Sequence, residues 1–208
     1  MTSPASRRRQ SSGSSAVEVG PRLSLRRPIP GDRDEWVALR ESNLDHLLPW
    51  EPRLKVKSER ERWDSYLRTS DEEDRKRFLI CLNAGGTIIG SVSLNGIRHG
   101  VLQSCDMGYW IGKQFTRRGH MTEALLLAIR HAFTKLELHR VEANVQPSNL
   151  ASLRVVRKAG LRHEGTSLRF LKIDGKWCDH ERWALTVEEW TDPLGKGRPA
   201  RPATSRRV

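Results

Sequence analysis

The chain has 208 residues, 37% of them hydrophobic and 30% charged, with a formal net charge of +12. That length suits one domain with a core of its own, and no apolar run approaches the roughly 20 residues of a membrane-spanning helix. Cys81, Cys105 and Cys178 are odd in number, scattered and without metal-ligand spacing, which predicts reduced thiols in a cytoplasmic protein and neither a disulfide framework nor a metal centre.

In chain order, residues 1–22 come first and carry +3. Their "RRRQSSGSS" composition predicts a disordered basic tail. It has no apolar stretch of the secretory kind. It is rich in arginine and serine, as transit peptides are, but its Gly, Pro and Ser content opposes the amphipathic helix those need. The folded domain is expected over residues 23–191. "LSLRRP" (Leu23 to Pro28) predicts a short strand. Asp32 and Glu35 form a capping-box pattern before a helix carrying Trp36 and Leu39, and Ser58 with Glu61 repeats it before Trp63, Tyr66 and Leu67. "RFLICL" (Arg77 to Leu82), a turn at Gly85-Gly86 and "TIIGSVSL" (Thr87 to Leu94) predict a hairpin. A strand from Ser104 to Ile111 follows. The helix after Gly119 carries Leu125, Leu126, Ile129 and Phe133 and ends near Leu136. "HRVEANVQ" (His139 to Gln146) is a further strand. Pro147, Ser148 and Asn149 open a helix that stops at Gly160, a residue suited to the position just past a helix end. "LRHEGTSLRFLKI", a turn at Asp174-Gly175 and "WCDHERWALTV" close the domain as a hairpin. Residues 192–208 carry +4 in "GKGRPARPATSRR" and predict a second disordered tail. Both tails are read as solvated, with weak ribosome or RNA contact as the functional alternative. The order of elements predicts an α/β fold with a mixed sheet.

One stretch carries more than structure. In "GYWIGKQFTRRGHMTEAL" a strand runs into a turn that feeds a helix N-terminus, with Arg117, Arg118, Gly119 and His120 at the join. The first N–H groups of a helix lack intrahelical acceptors, and that end already carries partial positive charge. Cations there are unfavourable unless an anion sits among them. Gly119 lets a ligand approach the backbone closely. This is the recipe for a phosphate or pyrophosphate site, although many surface helices begin with cations and bind nothing.

The surrounding motifs resemble the GNAT N-acetyltransferase superfamily, in its RimJ/RimL-type branch that acetylates N-terminal amines of ribosomal proteins. They are Gly108-Tyr109-Trp110-Ile111, the helix start Gly119…Thr122-Glu123-Ala124-Leu125, Asn149 with Ser152, Lys158-Ala159-Gly160 followed by His163 to Gly165, and "LLPWEP" (Leu47 to Pro52). The resemblance spans about Leu23 to Trp190. It implies a mixed, mostly antiparallel sheet of about seven strands splayed between two central ones, with helices on both faces. It also implies acetyl-CoA as co-substrate and no metal. Its diphosphate would meet Thr116, Arg117, Arg118, Gly119, His120, Met121 and Thr122, with Asn149 nearby. A backbone N–H near Trp110 and Ile111 would hold the oxyanion, and Ser152 would stand beside the leaving sulfur. The sequence departs from the family pattern. Of a phosphate loop that usually reads Gln/Arg-x-x-Gly-x-Gly/Ala only the central glycine, Gly119, is kept: Thr116 stands at the first position and Met121 where a small residue is usual. Val156 replaces a frequent tyrosine four residues before Gly160.

The chemistry needs a base that accepts one proton from an amine of pKa about 7.7 to 8.0. Asp106 and Glu142, carboxylates within strands beside the expected cleft, are the candidates; pairing with an arginine such as Arg140 is the plain alternative for each. For Ser152 the plain alternative is a first-turn serine bonding the backbone. Trp50 with Pro49 either walls the amine site or belongs to the core. The expected activity is acetyl transfer to a protein or peptide N-terminal amine. A small-molecule amine, or a non-catalytic GNAT-fold binding module, is the alternative.

Overall fold

The computed structural model describes residues 15–52 and 56–195. Strand β1 (Ala16–Val19) leads into β2 (Leu23–Arg26), whose Leu23 and Leu25 alternate with polar residues and are fully buried. Helices α1 (Arg33–Glu41), α2 (Leu44–Leu47) and α3 (Glu59–Arg68) follow. Then come β3 (Asp71–Glu72), β4 (Arg75–Leu82), β5 (Ile88–Arg98) and β6 (Ser104–Ile111). Helix α4 (His120–Thr134), β7 (Arg140–Val145), α5 (Leu150–Lys158), β8 (Arg162–Ile173) and β9 (Lys176–Thr186) complete the described chain.

The strands form one open sheet in the order β1-β2-β4-β5-β6-β7-β9-β8, with β3 on β4. Every pairing is antiparallel except β6 with β7, which the crossover through α4 makes parallel. On one face α4 buries Ala124, Leu125, Ala128 and Ile129 against β2, β5 and β7, and Leu153 and Val156 of α5 join the same core. On the other face Trp36 and Val37 of α1 and Trp63 and Tyr66 of α3 cover Leu79, Cys81 and Ile88. There the rings of Trp36 and Trp63 lie 5.3 Å apart, a separation at which aromatic pairs add to plain burial. The mixed sheet with helices on both faces is the expected architecture.

The pairing of β6 with β7 sets the geometry of the centre. It holds at Ser104 with Arg140, Cys105 with Val141, and Asp106 with Glu142, and then stops. Beyond that point β6 stays with β5, as Gly90 opposite Ile111 shows, and β7 stays with β9, as Val145 opposite Glu181 shows. Each strand keeps one partner, so a wedge opens between them.

Several boundaries differ from expectation. Among the described residues the sheet has nine strands rather than about seven. The N-terminal tail was expected to run to residue 22, but Ala16–Val19 is strand β1, paired with β2. The reason is a buried ion pair that four residues of sequence do not reveal. Glu18 accepts from Arg130 Nε of α4 at 2.8 Å, and Arg130 Nη2 also donates to the Val19 carbonyl at 3.0 Å. At the other end Leu194 packs on the core, so order continues past the expected boundary at 191. The rest of both tails lies outside the described residues. Asp32 does not cap α1 with its side chain. Arg26 takes both of its oxygens, at 2.7 and 2.6 Å, because the longer-range ion pair outcompetes the local bond. Glu35 accepts instead from the Ile88 N–H at 2.7 Å, tying α1 to β5. Ser58 does cap α3, accepting from Glu61 N–H at 3.2 Å.

Candidate active site

The turn after β6 is a short 3₁₀ segment, Lys113–Phe115, closed by Thr116 N–H donating to the Lys113 carbonyl at 3.2 Å. Arg117 and Gly119 then take left-handed conformations, φ 60° and 78°, which turn the chain into α4. Gly119 is the residue before the helix, and its carbonyl accepts the first intrahelical bond, from Glu123 N–H at 3.1 Å. The N–H groups of His120, Met121 and Thr122 therefore have no acceptor within the helix. Arg117 and Arg118 are exposed, and among the described residues neither guanidinium has an acidic partner. Met121 turns into the core, 7% exposed, so its bulk lies away from the turn. His120 is half-buried, and burial, followed by the charge of Arg22, lowers its pKa below the usual imidazole value. Its Nδ1 is buried without a hydrogen-bond partner.

A third arginine belongs to this turn, and it lay within the stretch expected to be a tail. Arg22 Nε donates to Glu123 Oε2 at 2.7 Å, and the backbone N–H groups of Arg22 and Leu23 donate to Glu123 Oε1 at 2.8 and 3.1 Å. Arg22 Nη1 donates to the Arg118 carbonyl at 2.7 Å. A Cβ placed on Gly119 would lie 3.2 Å from Arg22 Nη2. Glu123, 5% exposed, thus anchors a guanidinium against the helix start. No local motif marks Arg22; its partner is a hundred residues away.

The β6–β7 wedge holds a cavity of about 140 Å³ lined by residues of both faces of the sheet. Met107, Gly108 and Tyr109 come from β6, Asn144 and Val145 from β7, Asn149 and Ser152 from the start of α5, and His180 from β9. Trp50 closes one side and is 39% exposed, so it is a wall of the cavity and not a core residue. Asn149 caps α5 by accepting from Ser152 N–H at 3.1 Å, which fixes the first turn of that helix. The Ser152 hydroxyl then lies 2.6 Å from the Tyr109 phenol. Burial pushes the phenol up to about 12, so it stays protonated. A phenol is the stronger donor and an aliphatic hydroxyl the better acceptor, so Tyr109 donates and leaves the Ser152 hydrogen free to serve another acceptor. In the sequence Tyr109 stands out only within the motif Gly108-Tyr109-Trp110-Ile111; its pairing with Ser152 comes from the meeting of β6 and α5.

The two candidate carboxylates lie one step before the wedge, where β6 and β7 still pair, and neither lines the cavity. Burial raises the Asp106 pKa, and the charge of Glu142 adds to it, against the opposing pull of Arg98 at 3.6 Å and of Asn144, which donates at 2.9 Å. Burial also pushes Glu142 up, but Arg140 and Arg182, donating at 2.8 and 2.7 Å, outweigh it and hold the carboxyl below its ordinary value. Trp110 sits on the opposite side of β6 from Tyr109, against Arg40, whose guanidinium lies 5.1 Å from its ring centroid. Ile111 is buried and pairs with Gly90. Cys81 and Cys105 are buried, and burial raises their thiols to about 11 and about 12, so neither is a ready nucleophile. Among the described residues no group of three His, Cys, Asp or Glu side chains is placed to hold a metal, and no helix is long and apolar enough to cross a membrane.

Comparison with known proteins converges on one family. Residues 22–162 match the Acetyltransferase (GNAT) domain. A probable N-acetyltransferase of Bacillus subtilis, YjcK, is 35% identical over 74% of this chain and 88% of its own length. The [ribosomal protein uS5]-alanine N-acetyltransferase of Escherichia coli is 32% identical over 77% of this chain and 86% of its own. Among solved structures, Mycobacterium smegmatis RimJ in complex with CoA-disulfide superposes with a TM-score of 0.72 at 32% identity, covering 80% of this chain and 83% of that one.

Proposed function

As this chain belongs to the GNAT acetyltransferase family, we propose that it transfers the acetyl group of acetyl-CoA to the N-terminal amine of a protein, a ribosomal protein in the first instance. The single observation that carries this reading is the continuity of strand β6 with the turn before α4. The same strand that opens the wedge continues through the 3₁₀ segment into the left-handed turn at Arg117 and Gly119, where Arg22, Arg117 and Arg118 adjoin the start of the helix. With a diphosphate held there, the wedge residues of β6 and the cavity wall, Ser152 and His180 among them, would border the pantetheine arm. Arg117, Arg118, Gly119, His120 and Thr122 would hold the phosphates, with Arg22 added to the set expected from sequence. Trp50 and Asn144 would border the acceptor amine. The chemistry requires no metal.

The relative that acts on uS5 alanine supplies the first acceptor to test. The measurement is release of free CoA thiol with a panel of short peptides that differ in their first residue, beside spermidine and other small amines. A strong preference for peptides beginning with Ala or Ser supports the reading. Turnover of small amines without turnover of any peptide overturns the acceptor class while leaving acetyl transfer in place. Mass spectrometry of N-terminal peptides from cells with and without the protein then identifies the acceptor.

A further inference from the structure

Of the described residues that line the cavity, only Tyr109 and His180 carry acid–base side chains. Tyr109 is a half-buried phenol that its surroundings keep protonated, so it is no base. His180 is 3% exposed, and its Nδ1 lies 3.0 Å from the main-chain carbonyl of Cys178. A carbonyl can only accept, so Nδ1 carries the hydrogen and Nε2 carries the lone pair. Nε2 has no hydrogen-bond partner among the described residues, yet it is not sealed off as the Nδ1 atoms of His120 and His131 are. The ring is steadied by Phe170 of β8, edge-on at 5.9 Å. The charges around it are already engaged. Arg182 is bound to Glu142 at 2.7 Å, Asp179 accepts from the Arg169 N–H at 2.7 Å, and Glu181 accepts from Trp183 Nε1 at 3.1 Å. The result is an imidazole with one defined tautomer and a basic nitrogen neither bonded nor fully enclosed, on a residue that lines the cavity holding Ser152.

We propose that His180 is the general base of the reaction, accepting through Nε2 the proton that the acceptor amine must lose. This rests on the acetyltransferase reading and concerns the residue that serves it. As a class, imidazoles are more basic than carboxylates by about two pKa units, so transfer from an amine is less uphill. Asp106 and Glu142 do not line the cavity, and Glu142 is held between two arginines. The step balances simply. The amine nitrogen attacks the thioester carbonyl carbon and a C–N bond forms. Its surplus proton passes to Nε2. The C–S bond breaks with its electron pair on sulfur, the thiolate is protonated by solvent, and the imidazolium returns its proton to water.

The test uses the full chain and any amine the wild type acetylates, so failure of the N-terminal acceptor reading does not touch it. His180→Ala should lower kcat by about 10²-fold or more, while acetyl-CoA affinity by calorimetry stays within about twofold of the wild type. Added imidazole should then restore at least about tenfold of the lost rate, and substituted imidazoles should restore it in order of their basicity. A structural role for His180 would not yield that ordering. His180→Gln, which keeps a donor for the Cys178 carbonyl, covers the case in which alanine disturbs the hairpin; it should bind acetyl-CoA normally and lose the same rate. A His180→Gln enzyme within about threefold of the wild type, or a folded, acetyl-CoA-binding His180→Ala enzyme that no imidazole restores, overturns the assignment.

Discussion

Gly119→Glu places a side chain at the one position where backbone conformation, space and charge all converge. Its φ of 78° belongs to the left-handed region, where a residue with a Cβ costs about 1 to 2 kcal/mol more than glycine. The new Cβ would lie 3.2 Å from Arg22 Nη2, the tip of a flexible chain that can give way. For a domain of this size that cost lowers Tm by about 2 to 8 °C, partly offset by a carboxylate at a helix N-terminus. The fold should survive. Binding should not. A carboxylate about 4 Å from a bound phosphate repels it by about 4 kcal/mol near a protein surface, which is about a thousandfold in Kd. The same carboxylate also competes for Arg22. Arg117→Ala and Arg118→Ala should each cost about 1.5 to 3 kcal/mol of affinity where the guanidinium touches phosphate, and almost nothing where it points to water. Calorimetric titration with acetyl-CoA decides the matter, with pantetheine, which lacks the diphosphate, as comparison ligand; it should bind the wild type and Gly119→Glu about equally poorly. A folded Gly119→Glu protein that binds acetyl-CoA as the wild type does would remove the cofactor from this helix.

The remaining predictions concern the ends of the chain and the cavity wall. A chain beginning at Pro21 loses β1 and leaves Arg130 buried without Glu18, a change worth about 3 to 5 kcal/mol; one beginning at Ser15 should unfold in urea at the wild-type midpoint, and equal midpoints for both would refute the role given to β1. Glu18 is pushed up by burial, but the nearby His131, 3.5 Å away, and the Arg130 guanidinium bonded to it bring its pKa below the ordinary 4.5, so its contribution is present above that pH and lost as pH falls through the lower folded value. Glu18→Gln should therefore flatten the acid limb of stability below pH 4.5, and an unchanged limb in acid denaturation would exclude it. Tyr109→Phe removes the donor that leaves the Ser152 hydrogen free; the loss of about 1 kcal/mol of orientation should lower kcat roughly fivefold with acetyl-CoA affinity unchanged, and wild-type kcat would show that Ser152 does not depend on it.

What the sequence by itself determined is what neighbours along the chain decide. The turn from Thr116 to Thr122 was legible because free helix N–H groups, a glycine able to take positive φ and two arginines fall within seven consecutive residues. The Asn149 cap and the glycine at 160 are local in the same way. Tertiary structure alone decided the partners that come from afar. Arg22 reaches Glu123 across a hundred residues, Tyr109 meets Ser152 across 43, and His180 enters the cavity from a strand that pairs with β7. Asp106 and Glu142 looked like cleft carboxylates because they sit in the central strands. Whether such a residue faces the opening depends on where pairing stops, and it stops one step after them. β1 escaped notice because its stability comes from Glu18 buried against Arg130 and not from its own four residues. Local signals survive in one dimension because backbone geometry couples only near neighbours; strand register and buried charge pairs are fixed by contacts between distant segments, and only the folded chain brings those together.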